Sequence, residues 1–201
     1  SLSDLLPASL PPHTAAHAWR FYHLPPSTPR EADTHWRVLH GALLTRRRQF
    51  KMGVSSTDAC LFCGARDTLP HALFACPYSA SYWTNVVDAL STSLSDAISP
   101  STFSAAELLL GLPTLTAIVD ATHHPTLRAA AAVSLQVLVE ARQARIRPNN
   151  PTATSPPPAS LAHRALQQLA ARLTLLLPSV LPSSPLLFPS PATLSQEEGS
   201  P

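Results

Sequence analysis

Cys60, Cys63, His71 and Cys76 follow the spacing C-x2-C-x7-H-x4-C, and the chain's 3 cysteines are all in this set. Two thiolates two residues apart, an imidazole and a third thiolate are soft and borderline donors that suit tetrahedral Zn²⁺. Four protein ligands leave no position for water, so the ion is expected to be structural rather than catalytic. An odd cysteine count rules out a closed set of disulfides within one chain. With a histidine at ligand spacing, it points to a reduced, intracellular metal site instead of a secreted disulfide scaffold. The bland alternative is an ordinary helix histidine beside buried thiols. Small zinc loops draw on the order of 10 kcal/mol of folding free energy from the metal, so losing one ligand is expected to unfold the loop.

These residues have to be positioned by turns and helices. Leu61 and Phe62 separate the first two thiolates, and Gly64 after them frees the backbone to turn. The step from His71 to Cys76 fits a short helix that Pro77 ends or kinks. Upstream, Thr28-Pro29-Arg30-Glu31 reads as a capping box with proline in the first turn. Ala32, Trp36, Leu39, Leu43 and Phe50 then recur at helical spacing, which predicts one amphipathic helix running to a stop at Gly53. Arg46, Arg47 and Arg48 would fall in its last turn. There they either complement the helix dipole in solvent or meet phosphate.

Downstream, Trp83, Val86, Val87, Leu90, Leu94 and Ile98 make a second helical stripe. Ser104 and Glu107 mark a short helix closed by Gly111 and Pro113. Residues 114–125 are ambiguous. A long helix is expected from about Thr126 to Arg147, buried in its front half and ending in Arg142, Arg145 and Arg147. A last amphipathic helix is expected from about Ser160 to Leu177, with Leu166, Leu169, Leu173 and Leu176 on one side.

Composition agrees with helices between loose margins. The 201 residues include 22 Pro and 5 Gly and are 45% hydrophobic but only 13% charged. No strand pattern and no fixed-period repeat is evident. The fold class expected is mainly α: a small helical domain built around a structural zinc loop, with disordered Pro/Ser-rich ends. The division expected is a disordered lead-in over 1–18, a zinc-binding domain over 19–98, a helical extension over 99–147 and a linker over 148–158. A C-terminal helix over 159–177 and a disordered tail over 178–201 complete it. Within the domain, Trp19, Phe21 and Tyr22 read as a hydrophobic anchor. There is no signal-peptide pattern and no apolar run of about 18 residues, so neither secretion nor a membrane span is expected. The chain begins at Ser1 and its single methionine is Met52, which reads as a piece of a longer open reading frame.

Taken in order, the motifs resemble a known region. They are Trp36 to Leu43, the basic stretch from Arg46 to Gly53, Cys60-Leu61-Phe62-Cys63, His71-Ala72-Leu73-Phe74-Ala75-Cys76-Pro77 and Trp83. Together they are similar to the zinc-binding region (CCHC type) that follows the reverse transcriptase domain of non-LTR retrotransposons. The resemblance covers roughly residues 32–90. Pro70 stands where a polar pair is common, a departure that should leave ligation intact. The resemblance implies a zinc-stabilised module that engages RNA or DNA as part of a retroelement polyprotein.

In some elements of this kind a restriction-like endonuclease follows. Its clustered carboxylates are missing from the sequence after Arg147-Pro148-Asn149-Asn150. The paired aspartates of a polymerase palm are missing too, and no nucleophile motif is present. The chain is therefore read as non-enzymatic, without a small-molecule substrate or a membrane partner, and as intracellular in a way compatible with the nucleus.

Net charge is only +2, so the local excess of cations over residues 30–51 carries the nucleic-acid reading. The candidates for phosphate contact are Arg37, Arg46, Arg47, Arg48, Lys51 and Arg66, with Phe62 either stacking on a base or packing the loop. The competing readings are a scaffolding module whose two C-terminal helices pack on an upstream polymerase domain, and a domesticated remnant.

Overall fold

The computed structural model describes residues 12–94, 98–99, 103–147 and 154–176. The expected disordered tail over 178–201 and most of the expected lead-in and linker lie outside these residues. Eight α-helices are described: α1 (Pro12–His23), α2 (Pro29–Leu39), α3 (Arg46–Lys51), α4 (Pro77–Leu94), α5 (Ala105–Leu110), α6 (Pro113–Ile118), α7 (His124–Ile146) and α8 (Pro158–Leu176). A π-helical turn over His71–Ala75 and a 3₁₀ turn over Ala121–His123 complete the set. Among the described residues there are no strands, only one antiparallel bridge between Ala59 and Arg66. None of the described helices is long and apolar enough to cross a membrane.

Helix α7 is the axis of the core. Leu127, Ala129 to Val133, Leu135, Val137 and Leu138 are all buried, which explains why this helix reads as apolar nearly all round. Helices α2 and α8 pack along it, and α8 also packs on α4. Leu161, Ala162, Ala165 and Leu169 form the buried face of α8. The apolar stripes of α7 and α8, which could have served an external partner, are thus turned toward the chain's own core. Side chains tie the layers together. The Tyr82 hydroxyl donates to the Ser134 carbonyl at 2.8 Å, and Arg172 of α8 pairs at 2.7 Å with the buried Glu31 of α2.

Glu31 also serves the capping box read from sequence, accepting from the Thr28 N–H at 2.8 Å. Helix α5 docks through the carbonyls at its C-terminal end, which have no partner within the helix. Leu108 O accepts from the Tyr22 hydroxyl, while the His35 and His17 rings lie 3.0 and 2.9 Å from Leu109 O and Gly111 O. The backbone crosses here so closely that a Cβ on Gly111, itself at φ +83°, would stand 2.7 Å from Phe21 Cβ.

Two expectations are corrected by the structure. The lead-in read over 1–18 is already helical from Pro12, and Ala18 is buried with Phe21 and Tyr22. Trp19 stays 54% exposed, stacked on His23. The single helix read from Pro29 to Phe50 is two helices. Gly41 adopts φ +60°, and the N–H groups of Gly41 and Ala42 return to the carbonyls of Val38 and Arg37 at 3.0 and 2.7 Å, the Schellman stop. Thr45 then caps α3, accepting from the Arg48 N–H at 3.2 Å. Arg46 and Arg47 therefore open a helix instead of closing one, where the dipole opposes cations and does not account for them, while Arg48 falls in the last turn with Lys51. Trp36 and Phe50, expected on a buried face, are 42% and 49% exposed. The buried positions of α2 include Ala32, His35 and Val38.

Candidate metal centre

The first two cysteines sit in a tight turn. Gly64 N–H donates to Cys60 O at 2.9 Å, and Cys60 N–H donates to Ala65 O at 2.6 Å. Gly64 takes φ +79°, where a side chain would be strained. Asp67 N–H donates to Asp58 O at 2.8 Å and closes the base of the turn. An Arg66–Asp58 ion pair at 2.8 Å lies over the same closure.

The other two ligands come from the π-helical turn. Its wider winding leaves carbonyls that α4 satisfies with side chains. The Ser79 hydroxyl donates to Ala72 O at 2.6 Å, and the Trp83 indole N–H donates to Leu73 O at 2.8 Å. Trp83 thus does more than fill volume, because it fixes the turn that presents His71 and Cys76. Cys76 ends the turn and stands at the N-cap position of α4, its carbonyl accepting from the Ala80 N–H at 2.8 Å.

One ligand atom from each of Cys60, Cys63, His71 and Cys76 lies within 4.8 Å of the others. Cys76 Sγ is 3.8 Å from both Cys60 Sγ and Cys63 Sγ. Sulfurs at about 2.3 Å from a tetrahedral zinc stand about 3.8 Å apart, so these sulfur–sulfur edges fit the ion. Cys63 Sγ to His71 Nε2 is 3.2 Å, somewhat inside the roughly 3.6 Å of a sulfur–nitrogen edge. The donor set fits zinc in kind as well as in distance.

The electrostatics favour the ligand form at Cys76 and His71 but not at Cys63. Burial works against a Cys76 thiolate. The Arg142 guanidinium and the backbone N–H groups of Tyr78 and Ser79, at the start of α4, nevertheless hold its thiol below the ordinary range. Desolvation holds the His71 imidazole below its usual value, which favours the neutral ring a metal needs. Crowding pushes the Cys63 thiol up: desolvation leads, and the neighbouring Cys60 and Cys76 add to it. Three thiolates this close need a cation between them.

The structure also adds residues that ligand spacing does not reveal. Asp67 is fully buried beneath the turn, accepting from the Arg46 N–H of α3 at 2.8 Å and pairing with Arg142 of α7 at 2.8 Å. Arg142 reads in sequence as one of three arginines at a helix end, yet it is 3% exposed. The available clue was its place on the continuing apolar face of α7, four residues after Leu138. Phe62 lies under Arg142 at 4.6 Å and against Tyr78 at 4.4 Å, so it packs the loop.

The six candidate phosphate contacts separate into two groups. Arg37 and Arg66 are ion-paired with Asp33 and Asp58, each at 2.8 Å. Arg46, Arg47, Arg48 and Lys51 share α3, and among the described residues none of them pairs with a carboxylate. Arg48 donates to Gly41 O at 2.7 Å, and Arg46 donates to Gln49 at 3.1 Å.

Residues 8–83 match the family described as zinc-binding in reverse transcriptase. No curated protein and no solved structure matches the chain. Residues 8–83 are therefore a zinc-binding region of the reverse-transcriptase type, with Cys60, Cys63, His71 and Cys76 grouped to hold a structural zinc ion.

Proposed function

We propose that this chain is a zinc-stabilised nucleic-acid-binding module of a non-LTR retroelement polyprotein, with a role in contact rather than catalysis. The observation that carries the reading is α3. Four cations lie within six residues and lack carboxylate partners among the described residues. The helix is held to the zinc loop by the bond from Arg46 N–H to Asp67. The metal site thereby orders a short basic helix whose positive charge is left for an external anion. A phosphate backbone is the anion that the family resemblance supplies. Arg37 and Arg66, already paired, would contribute less.

The test is binding of short single-stranded RNA and DNA and of duplex DNA across salt, for the wild type and for a variant with Arg46, Arg47, Arg48 and Lys51 all changed to Gln. Neutralising four phosphates on a duplex contributes about −3.6 to the slope of log K against log salt, and about −2.8 on a single strand. The variant should lose most of that slope with zinc still bound. Wild-type affinity that does not fall with salt, or a slope unchanged in the variant, would refute the reading.

A protein-docking role is the second reading, favoured by Phe50, Met52 and Val54. Phe50 lies on the same helix and Met52 and Val54 follow it, and they are 49%, 61% and 60% exposed. Retention of nucleic-acid affinity after their replacement by Ser would set the two roles apart.

A further inference from the structure

Arg142 lies well outside the matched region, on α7, yet it reaches the metal ligands. Its Nη2 is 2.8 Å from Asp67 Oδ1 and 3.4 Å from Cys60 Sγ, and its Nη1 is 3.3 Å from Ser79 Oγ. Both Arg142 and Asp67 are buried, and the Phe62 ring closes one face of the guanidinium. Three thiolates, a neutral imidazole and Zn²⁺ carry a net charge of −1. Burying that charge beside Asp67 without a counter-ion is unfavourable. Asp67 also accepts from the Arg46 N–H of α3, but that neutral donor offsets none of the cluster's charge.

We propose that Arg142 is a positioning residue of the metal centre: its guanidinium donates to the Cys60 thiolate and offsets the negative charge of the zinc–thiolate cluster, so that zinc retention depends on helix α7. The zinc loop is then one half of a site whose other half is supplied from beyond residue 83. Arginine suits the role because its planar fork reaches a carboxylate oxygen, a hydroxyl and a sulfur at once, which lysine's single ammonium does not do in the same geometry.

Removing Arg142 alone would leave Asp67 buried without its ion-pair partner, and the chain could fail to fold for that reason. The informative comparison in the full chain is therefore Asp67→Asn against the double variant Asp67→Asn with Arg142→Met, with Arg142→Lys as the conservative change. Zinc affinity is read by chelator competition at a temperature where all variants keep wild-type helicity. Cobalt-substituted protein is read by its sulfur-to-cobalt charge-transfer band. Outer partners of metal ligands typically contribute 10–100-fold to affinity. The double variant should bind zinc roughly 10–100-fold more weakly than Asp67→Asn, its band should move to lower energy as a thiolate loses a donor, and Arg142→Lys should recover part of both effects.

The inference is overturned if the double variant and Asp67→Asn hold zinc equally and give the same cobalt spectrum, since Arg142 would then act only through Asp67. It rests on the four-ligand zinc site, and a wild-type chain that retains no zinc would overturn both. Zinc bound equally by all variants overturns this inference alone.

Discussion

Cys76 does two jobs that chemistry can separate. It is a ligand, 3.8 Å from two other sulfurs, and it is the N-cap residue of α4, with the Tyr78 and Ser79 N–H groups directed at its sulfur. Serine keeps an N-cap acceptor but removes the soft thiolate, whereas alanine removes both. Structural zinc in small domains contributes roughly 10–16 kcal/mol. Shared over four ligands, that is about 2.5–4 kcal/mol each. Cys76→Ser and Cys76→Ala should therefore both weaken zinc binding by on the order of 10²–10³-fold.

The cap shows itself in the zinc-free proteins. An N-cap Ser is worth about 1 kcal/mol over Ala, or about 2–4 °C in Tm for a chain of this size. The assay is chelator competition for the affinity, followed by thermal melts of the zinc-free proteins followed by circular dichroism. Native zinc affinity in Cys76→Ser would refute the ligand assignment. Equal melting of the zinc-free Ser and Ala variants would refute the cap.

Zinc removal should act locally, because the apolar core is built mainly from α1, α2, α4, α5, α6, α7 and α8 rather than from the ligands. Hydrogen exchange after chelation should rise across residues 58–76 and stay slow across 127–139. Trp83→Phe keeps most of the packing but leaves Leu73 O without its donor, and should cost about 1–3 kcal/mol in urea denaturation together with a measurable loss of zinc affinity. His35 supplies the pH dependence. Burial pushes its pKa down to about 4 against the ordinary 6.5, and its Nδ1 is buried without a partner, so a second proton has no acceptor. Between these values the unfolded chain takes up the proton that the folded chain refuses. The contribution is thus complete above pH 6.5 and falls away toward pH 4, with a full span on the order of 3 kcal/mol. The difference in urea stability between the wild type and His35→Gln should shift across that window, with effects of the zinc ligands common to both, and a flat difference would refute it.

The ligand set was legible because it is local: C-x2-C-x7-H-x4-C places four donors within one short segment. The capping box at Thr28 and Glu31 and the long buried helix were legible for the same reason, since caps and helical periodicity act over a few residues. The break after Leu39 was missed because Leu43 and Phe50 continue a helical spacing by chance across a stop. Gly41 and Thr45, the two residues that make the stop and the restart, were the better signal. For Arg142 the sequence carries a clue to burial, its place on the apolar face of α7, but none to its role at the site. Its partners Cys60, Asp67 and Ser79 are far from it in sequence, and only the packing of α7 against the zinc loop brings them together.

That packing bears on where the folding unit ends. The family match stops at Trp83, in the middle of α4, one residue after the buried Tyr82 whose hydroxyl needs Ser134 O. Gln143 donates to Leu44 O at 2.7 Å and so helps hold the segment that leads into the basic helix, while Arg172 caps the charge of Glu31. Cut at residue 83, the matched region would lose the counter-ion of Asp67, the donor to Leu44 O and the surface against which α2 and α4 bury their apolar faces. A buried carboxylate without its ion-pair partner and an uncovered apolar face are each costly, and none of the described residues up to 83 replaces them. The zinc ion alone therefore does not make this region self-sufficient. Metal and downstream helices hold the loop from opposite sides, and the orientation of Arg46, Arg47, Arg48 and Lys51 follows from both.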